Sequence, residues 1–211
     1  MKRAKMGAVV VAAGLSSRMS AFKPMLPLGD STVIRTVLAK LRAAGVSSIG
    51  VIMGHNAEML QEHLSGLGVD YLYNREYAMT DMFCSACIGL AHMKDMVGRL
   101  FFMPGDIPLF DIRSLFLMMK IMEESGAPIV IPAYEGRKGH PILVDNGAIP
   151  GLLAYKGGMG LKGAISSFGS GVHVLELDDR GVIMDADSPE DYRKLLRYAE
   201  EQGVFNLPVD S

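Results

Sequence analysis

The sequence predicts an α/β fold of three layers, with a mostly parallel sheet between two layers of helices. Three observations predict it. Apolar runs of strand length recur along the chain, beginning with Met6 to Ala13 and Ser48 to Met53. Longer segments with helical spacing separate them, and strands joined through helices build right-handed crossovers in a parallel sheet. No linker, composition break or repeat of ~20–50 residues divides the 211 residues, so residues 1–211 read as a single domain.

Each element follows from a local signal. Met6 to Ala13 is apolar throughout, as in a strand buried on both faces, and Gly14 stops it. Thr32 to Ala44 places Ile34, Val37, Leu38 and Leu41 on one helical face, and Gly45 ends it. Ser48 to Met53 is the next strand, Ala57 to Leu64 a short helix and Val69 to Tyr73 a third strand. Phe83 to Met93 is helical, and Arg99 to Met103 is a fourth strand that runs into Pro104-Gly105-Asp106. Asp111 to Glu124 carries Ile112, Leu115, Phe116 and Met119 at i, i+3, i+4 and i+7, a strong amphipathic helix. Pro128 to Pro132, Ile142 to Val144 and His173 to Leu177 are short strands. Ser188 caps the last helix, Pro189 opens its first turn, Asp191 completes a capping-box-like pair and Gly203 closes it.

Composition removes several function classes. Hydrophobic residues are 49% and charged residues 21%, the balance of a folded globular chain. Lys+Arg total 21 against Asp+Glu 23, a net charge of -2, which does not suit a nucleic-acid binder that works by displacing counterions. No apolar run reaches the ~20 residues of a membrane span. The apolar stretch behind Met1-Lys2-Arg3 is too short for a secretory signal, so a cytoplasmic protein without membrane partners is expected.

In open α/β sheets ligands bind beyond the carboxyl ends of the strands, so the residues there carry the functional reading. Strand one is followed by Gly14-Leu15-Ser16-Ser17-Arg18 and then Lys23-Pro24. Gly14 lets a ligand approach the backbone, hydroxyls and N–H groups can donate to phosphate oxygens, and Arg18 and Lys23 supply charge. The same loop also reads as a solvated polar turn. Asp106, fenced by Pro104, Gly105 and Pro108, is a carboxylate held rigidly at a strand end, where Mg²⁺ takes one or two carboxylates plus substrate phosphates. Asp is equally an ordinary turn former. Asp185 and Asp187 alternate, so an extended backbone points both the same way, whereas Glu190 and Asp191 are accounted for by the helix dipole. Gly139-His140-Pro141 precedes a strand, and His140 either donates to a substrate or fixes the turn.

Taken in order, these segments resemble one family. Val11-Ala12-Ala13-Gly14-Leu15-Ser16-Ser17-Arg18-Met19 with Lys23-Pro24, Gly105-Asp106-Ile107-Pro108, Gly139-His140-Pro141 and Asp185-Ala186-Asp187-Ser188-Pro189-Glu190-Asp191 are similar to the motifs of nucleotidyltransferases related to molybdenum cofactor cytidylyltransferase. The resemblance runs from Val9 to Tyr192. It implies a nucleotide-diphospho-sugar-transferase-like, Rossmann-like fold and Mg²⁺-dependent transfer of CMP from CTP to a phosphorylated acceptor of molybdopterin type. A molybdoenzyme or its maturation chaperone is the protein partner it implies. By the same resemblance Arg18, Lys23 and Asp106 are catalytic, and Asp106, Asp187 and Asp185 hold the metal. Ala12, Ala13, Gly14, Ser16, Ser17, Met82, Ser85, Pro104, Gly105, Gly139 and His140 line the substrate site. The Ala-Ala-Gly form of the first motif resembles the cytidylyl branch, against GTP or a sugar or alcohol phosphate acceptor in related enzymes. Asp81-Met82-Phe83-Cys84-Ser85 departs from the family's Gly-Met-Ser pattern and leaves the substrate more open than the chemistry.

Two further patterns compete with this reading. Cys84-Ser85-Ala86-Cys87 is a C-x-x-C, but no strand runs into it and a zinc site needs two more ligands, so a redox or metal-binding module is the alternative of another class. Gly158-Met159-Gly160-Leu161-Lys162-Gly163 fits G-x-G-x-x-G without a strand before it, and a flexible loop over the acceptor is expected there. Met118, Met119 and Met122 are core filler.

Overall fold

Met6–Ala12 form β1, and the strand is apolar throughout because it lies in the interior of the sheet with neighbours on both sides. The computed structural model describes residues 5–14 and 21–203. After β1 the chain forms β2 (Pro27–Leu28), β3 (Ser31–Thr32), α1 (Val33–Ala43), β4 (Ser48–Met53), α2 (Ala57–His63), β5 (Asp70–Tyr73) and α3 (Met82–Met93). β6 (Arg99–Pro104), α4 (Ile112–Ser125), β7 (Ile129–Tyr134), β8 (Arg137–Lys138) and β9 (Ile142–Asp145) follow. The chain continues with α5 (Ile149–Ala154), α6 (Gly160–Ser166), β10 (Val172–Glu176) and α7 (Pro189–Glu201).

The main sheet runs β10-β7-β9-β6-β1-β4-β5, with β8 beside β7. β1 pairs in parallel with β4 and β6, and β5 extends β4 in parallel; β9 runs antiparallel to both its neighbours, β6 and β7, and β8 runs antiparallel to β7. The chain leaves β1 toward β4 and β5, then returns to place β6 on the other side. The strand order therefore switches direction between β1 and β6, the kind of point beyond whose carboxyl ends open α/β sheets bind ligands.

Alternate residues of β1 feed two cores. Ala8, Val10 and Ala12 pack with Ile34, Leu41, Phe110 and Leu115, and Val9 packs with Ile52, Leu90 and Phe102. Burying each large aliphatic side chain contributes ~1.5–3 kcal/mol. Gly89 brings α3 tight against the sheet: a Cβ there would lie 2.3 Å from Val9 Cγ1. A third cluster joins Leu26, Leu28, Val33 and Leu109 to Met184, Ala186, Leu195 and Ala199. It docks α7 on the β2–β3 hairpin, and the Tyr192 hydroxyl donates to the Pro27 carbonyl at 2.5 Å.

Most expected elements are present within a residue or two, and the helix starts follow their caps. Ser188 Oγ accepts from the Asp191 N–H at 3.2 Å, and Asp81 accepts from the Cys84 N–H at 3.1 Å. The structure adds the two-residue strands β2, β3 and β8 and the helix α5, all too short to show a period. Residues expected to be a flexible loop at 158–163 are instead the approach to and first turns of α6, and α5 rather than a strand precedes them, so they lack the dinucleotide-binding context. No helix among the described residues is long and apolar enough to cross a membrane.

Candidate functional site

At the end of β1, Ala12-Ala13-Gly14 opens onto the crevice. Among the described residues a Cβ on Gly14 would meet nothing within 4 Å, so on their side a ligand can reach this backbone. The end of β6 is tied to the same place, because the Gly105 N–H donates to the Val11 carbonyl at 2.8 Å. Asp106 follows directly. Lys23 begins a short 3₁₀ turn, Lys23–Met25, whose Pro24 is buried. The backbone of residues 184–187 alternates, with Met184 and Ala186 buried in the α7 cluster and Asp185 and Asp187 turned the other way.

These three segments converge on one ammonium group. Lys23 Nζ donates to Asp187 Oδ1 at 2.5 Å and to Asp106 Oδ2 at 3.4 Å. The side chains are 12%, 32% and 19% exposed for Lys23, Asp187 and Asp106, so the cluster is shielded yet reachable. Burial pushes the Asp106 carboxyl above the usual carboxylate range; Lys23 pulls it back and Asp187 adds to the rise. Burial also raises Asp185, with further repulsion from Asp187 and Asp106, so Asp185 stands within electrostatic reach of both. A site that crowds carboxylates to this degree favours a cation.

A cavity of about 250 Å³ spreads from the cluster. Its walls are Ala12, Ala13, Gly14, Pro104 and Gly105 from the strand ends, and Tyr77, Asp81, Met82 and Ser85 from the segment leading into α3. Lys23, Asp106 and Asp187 form the polar end. The structure thus brings together Ala12, Ala13, Gly14, Lys23, Met82, Ser85, Pro104, Gly105, Asp106 and Asp187. Asp185 lies beside them but does not line the cavity. Arg18, Ser16 and Ser17 lie outside the described residues.

Gly139 and His140, expected beside the acceptor, do not line this cavity. Gly139 abuts the 3₁₀ turn Arg180–Ile183, where a Cβ would fall 2.3 Å from the Val182 carbonyl oxygen, and the His140 N–H donates to that oxygen at 2.8 Å. Burial lowers the His140 imidazole to about 4, so it is neutral in ordinary buffers.

Sequence reasoning missed Asn74, which follows β5. Its side-chain amide donates to Ser85 Oγ and Thr80 Oγ1, each at 3.0 Å, and its carbonyl accepts from the Glu76 N–H at 3.0 Å. Asn74 is 5% exposed, and these bonds shape the cavity wall from Tyr77 to Ser85. Its position directly after β5 is the one sequence signal it offered. α6 borders the same wall, since a Cβ on Gly160 would lie 2.9 Å from Asp81 Oδ2.

The C-x-x-C lies on the first turns of α3. Cys84 is exposed, Cys87 is half-buried, and burial pushes the Cys87 thiol up, away from the thiolate form. His92, the nearest further donor in sequence, pairs with Asp70 at 2.9 Å. Among the described residues no group of three or more His, Cys, Asp or Glu is placed to hold a metal. Asp106 and Asp187 fit the alternative arrangement, two carboxylates with substrate oxygens completing the shell, and the Lys23 ammonium already sits where positive charge is favoured.

Residues 8–180 match the model of the MobA-like NTP transferase domain. Molybdenum cofactor cytidylyltransferase of Escherichia coli (strain K12) is 26% identical over 186 residues, which cover 87% of this chain and 92% of that protein. Among solved structures, Rv0371c of Mycobacterium tuberculosis H37Rv superposes with a TM-score of 0.77 at 26% identity, over 92% of this chain and 98% of that one. The same mycobacterial protein in complex with manganese gives a TM-score of 0.75 at 25% identity, over 92% and 98% of the two chains.

Proposed function

This chain belongs to the MobA-like NTP transferase family, and on that premise we propose that residues 1–211 form one domain that transfers CMP from CTP to a molybdopterin-type acceptor with Mg²⁺. The coarser statement, that it is a nucleotidyltransferase, comes with the family. The observation that carries the finer one is the convergence of Lys23, Asp106 and Asp187 at the mouth of β1 and β6. The likeness to the Escherichia coli cytidylyltransferase across nearly its whole length supports the choice of nucleotide and acceptor.

In this reading an acceptor phosphate oxygen attacks the α-phosphorus of CTP. The new P–O bond forms as the bond to the β-phosphate oxygen breaks, and pyrophosphate leaves. A phosphate acceptor is already anionic, so the chain supplies no general base. Its task is positioning and charge stabilisation. Asp106 and Asp187 would hold Mg²⁺, which would supply positive charge to offset the charge that develops on the phosphate oxygens. Lys23 donates to oxygens of the departing pyrophosphate, with Arg18 in the same role. Gly14 and the neighbouring backbone cradle the triphosphate, and the wall from Asp81 to Ser85 faces the nucleoside or acceptor. A molybdoenzyme or its maturation chaperone would receive the product.

Incubation with each NTP in turn, Mg²⁺ and molybdopterin-type acceptor, scored by pyrophosphate release, tests the proposal. CTP should support release and Asp106→Ala should abolish it while the circular dichroism spectrum stays unchanged. A preference for GTP, or release only with a sugar or alcohol phosphate acceptor, would replace the substrate assignment. An Asp106→Ala variant that keeps most of its transfer would remove the metal assignment.

A further inference from the structure

Asp106 and Asp187 come from distant parts of the chain; Lys23 joins them inside the cavity, and a second contact between their segments lies outside it. The 3₁₀ turn Arg180–Ile183 is the last regular structure before Asp187. On one side it rests on the segment that carries Asp106: a Cβ on Gly181 would lie 2.1 Å from the Leu109 carbonyl oxygen and 2.7 Å from the Phe110 nitrogen. Leu109 is three residues beyond Asp106, across Pro108. On the other side the Val182 carbonyl is held by the His140 N–H at 2.8 Å.

The seat is built to stay in place. Asp179, 6% exposed, accepts from the Gly181 N–H at 3.0 Å, the Asp111 N–H at 2.8 Å and Ser114 Oγ at 2.7 Å. Lys40 Nζ donates to the Phe110 carbonyl at 2.8 Å and pins the facing segment from below. The φ of Gly181 is not in the left-handed region, so space rather than backbone conformation is what demands glycine there.

We propose that Gly181 is a positioning residue for nucleotidyl transfer: the absence of a side chain lets the 180–183 turn seat on the Leu109–Phe110 backbone and thereby sets the distance between the Asp106 and Asp187 carboxylates. The inference rests on the reading of those carboxylates as the divalent-cation pair. Adding a methyl must drive the two backbones apart until a contact of 2.1 Å becomes at least 3.0 Å. Mg²⁺ demands near-ideal octahedral geometry, and a shift of about 1 Å is enough to detach one of its ligands.

The test is Mn²⁺ titration of the full chain with CTP present, read by electron paramagnetic resonance, on wild type, Gly181→Ala, Ser114→Ala and Asp187→Asn, with circular dichroism for folding. Gly181→Ala should keep the wild-type spectrum and weaken Mn²⁺ by about 10–100-fold, the usual loss when a support behind a metal ligand is disturbed. Ser114→Ala, which removes one of three bonds to Asp179, should fall between. Transfer by Gly181→Ala should recover as metal is raised, which general destabilisation would not produce. Wild-type Mn²⁺ affinity in Gly181→Ala, alongside a loss in Asp187→Asn, overturns the proposal and leaves the metal reading standing. Wild-type affinity in Asp187→Asn overturns the metal reading and the proposal with it. If Gly181→Ala does not fold, Ser114→Ala decides, and an unchanged affinity there overturns the proposal.

Discussion

Replacing Lys40 by Met should erase a pH dependence of stability that the wild-type chain carries. Lys40 is on α1 and only 7% exposed; its Nζ bonds the Phe110 carbonyl at 2.8 Å and stands 5.4 Å from the centre of the Phe110 ring. Burial lowers its ammonium from 10.5 to about 8, against smaller upward pulls from Asp179 and Asp111. The folded chain therefore holds this proton less tightly than the unfolded chain does. Below pH ~8 both states carry it, and the fold bears the full cost of a buried charge. As pH rises from about 8 toward 10.5 the folded state releases the proton while the unfolded state keeps it, so stability increases across that window. At ~1.4 kcal/mol per pH unit, the interval amounts to about 3 kcal/mol. Urea unfolding of wild type and Lys40→Met at a series of pH values measures it, because other titrating groups cancel in the difference. The wild type should gain about 3 kcal/mol on the variant from pH ~8 to pH ~10.5. A difference that stays flat to within ~1 kcal/mol would show that Lys40 keeps its ordinary proton affinity, and the burial argument would fail.

Two other substitutions have defined outcomes. Lys23→Ala should lose at least ~2 kcal/mol of transition-state stabilisation in kcat/KM, as expected for a charge-assisted contact; steady-state kinetics with saturating Mg²⁺ measure this, and an unchanged value refutes the role. Gly89→Ala places a methyl 2.3 Å from Val9 Cγ1 and should cost ~1–3 kcal/mol in a denaturant melt, and a loss below ~0.5 kcal/mol would mean that α3 can lift from β1 freely.

Much of the site was legible because its signals are local. A buried apolar run followed by a glycine or an acid marks a strand end, and Gly14 and Asp106 were readable in that way, whereas Asp187 was readable from alternating acids just ahead of the Ser188 cap. The alternation of Asp185 and Asp187 survives in the structure, because Met184 and Ala186 occupy the buried phase. What was not legible depends on which side chains and backbones the fold sets side by side. Asn74 shows its role only when Thr80 and Ser85 stand beside it, and Gly139 only against Val182. His140 read as a donor or, more readily, as a turn former, and its backbone contact with the 180–183 turn decides only the position of the turn. β2 and β3 have two residues each, too few for alternation to emerge, and the antiparallel run of β9 is a property of sheet order that no local window contains.

The docking of α7 has a further consequence. Leu195 and Ala199 hold α7 on the β2–β3 hairpin, and the 184–187 segment that leads into α7 brings Asp187 to Lys23. Every strand from β1 through β10 precedes this segment, so the crevice borrows one of its acidic walls from beyond the sheet. A product cut short ahead of Leu195 would keep all the strands and lose the anchor of that wall.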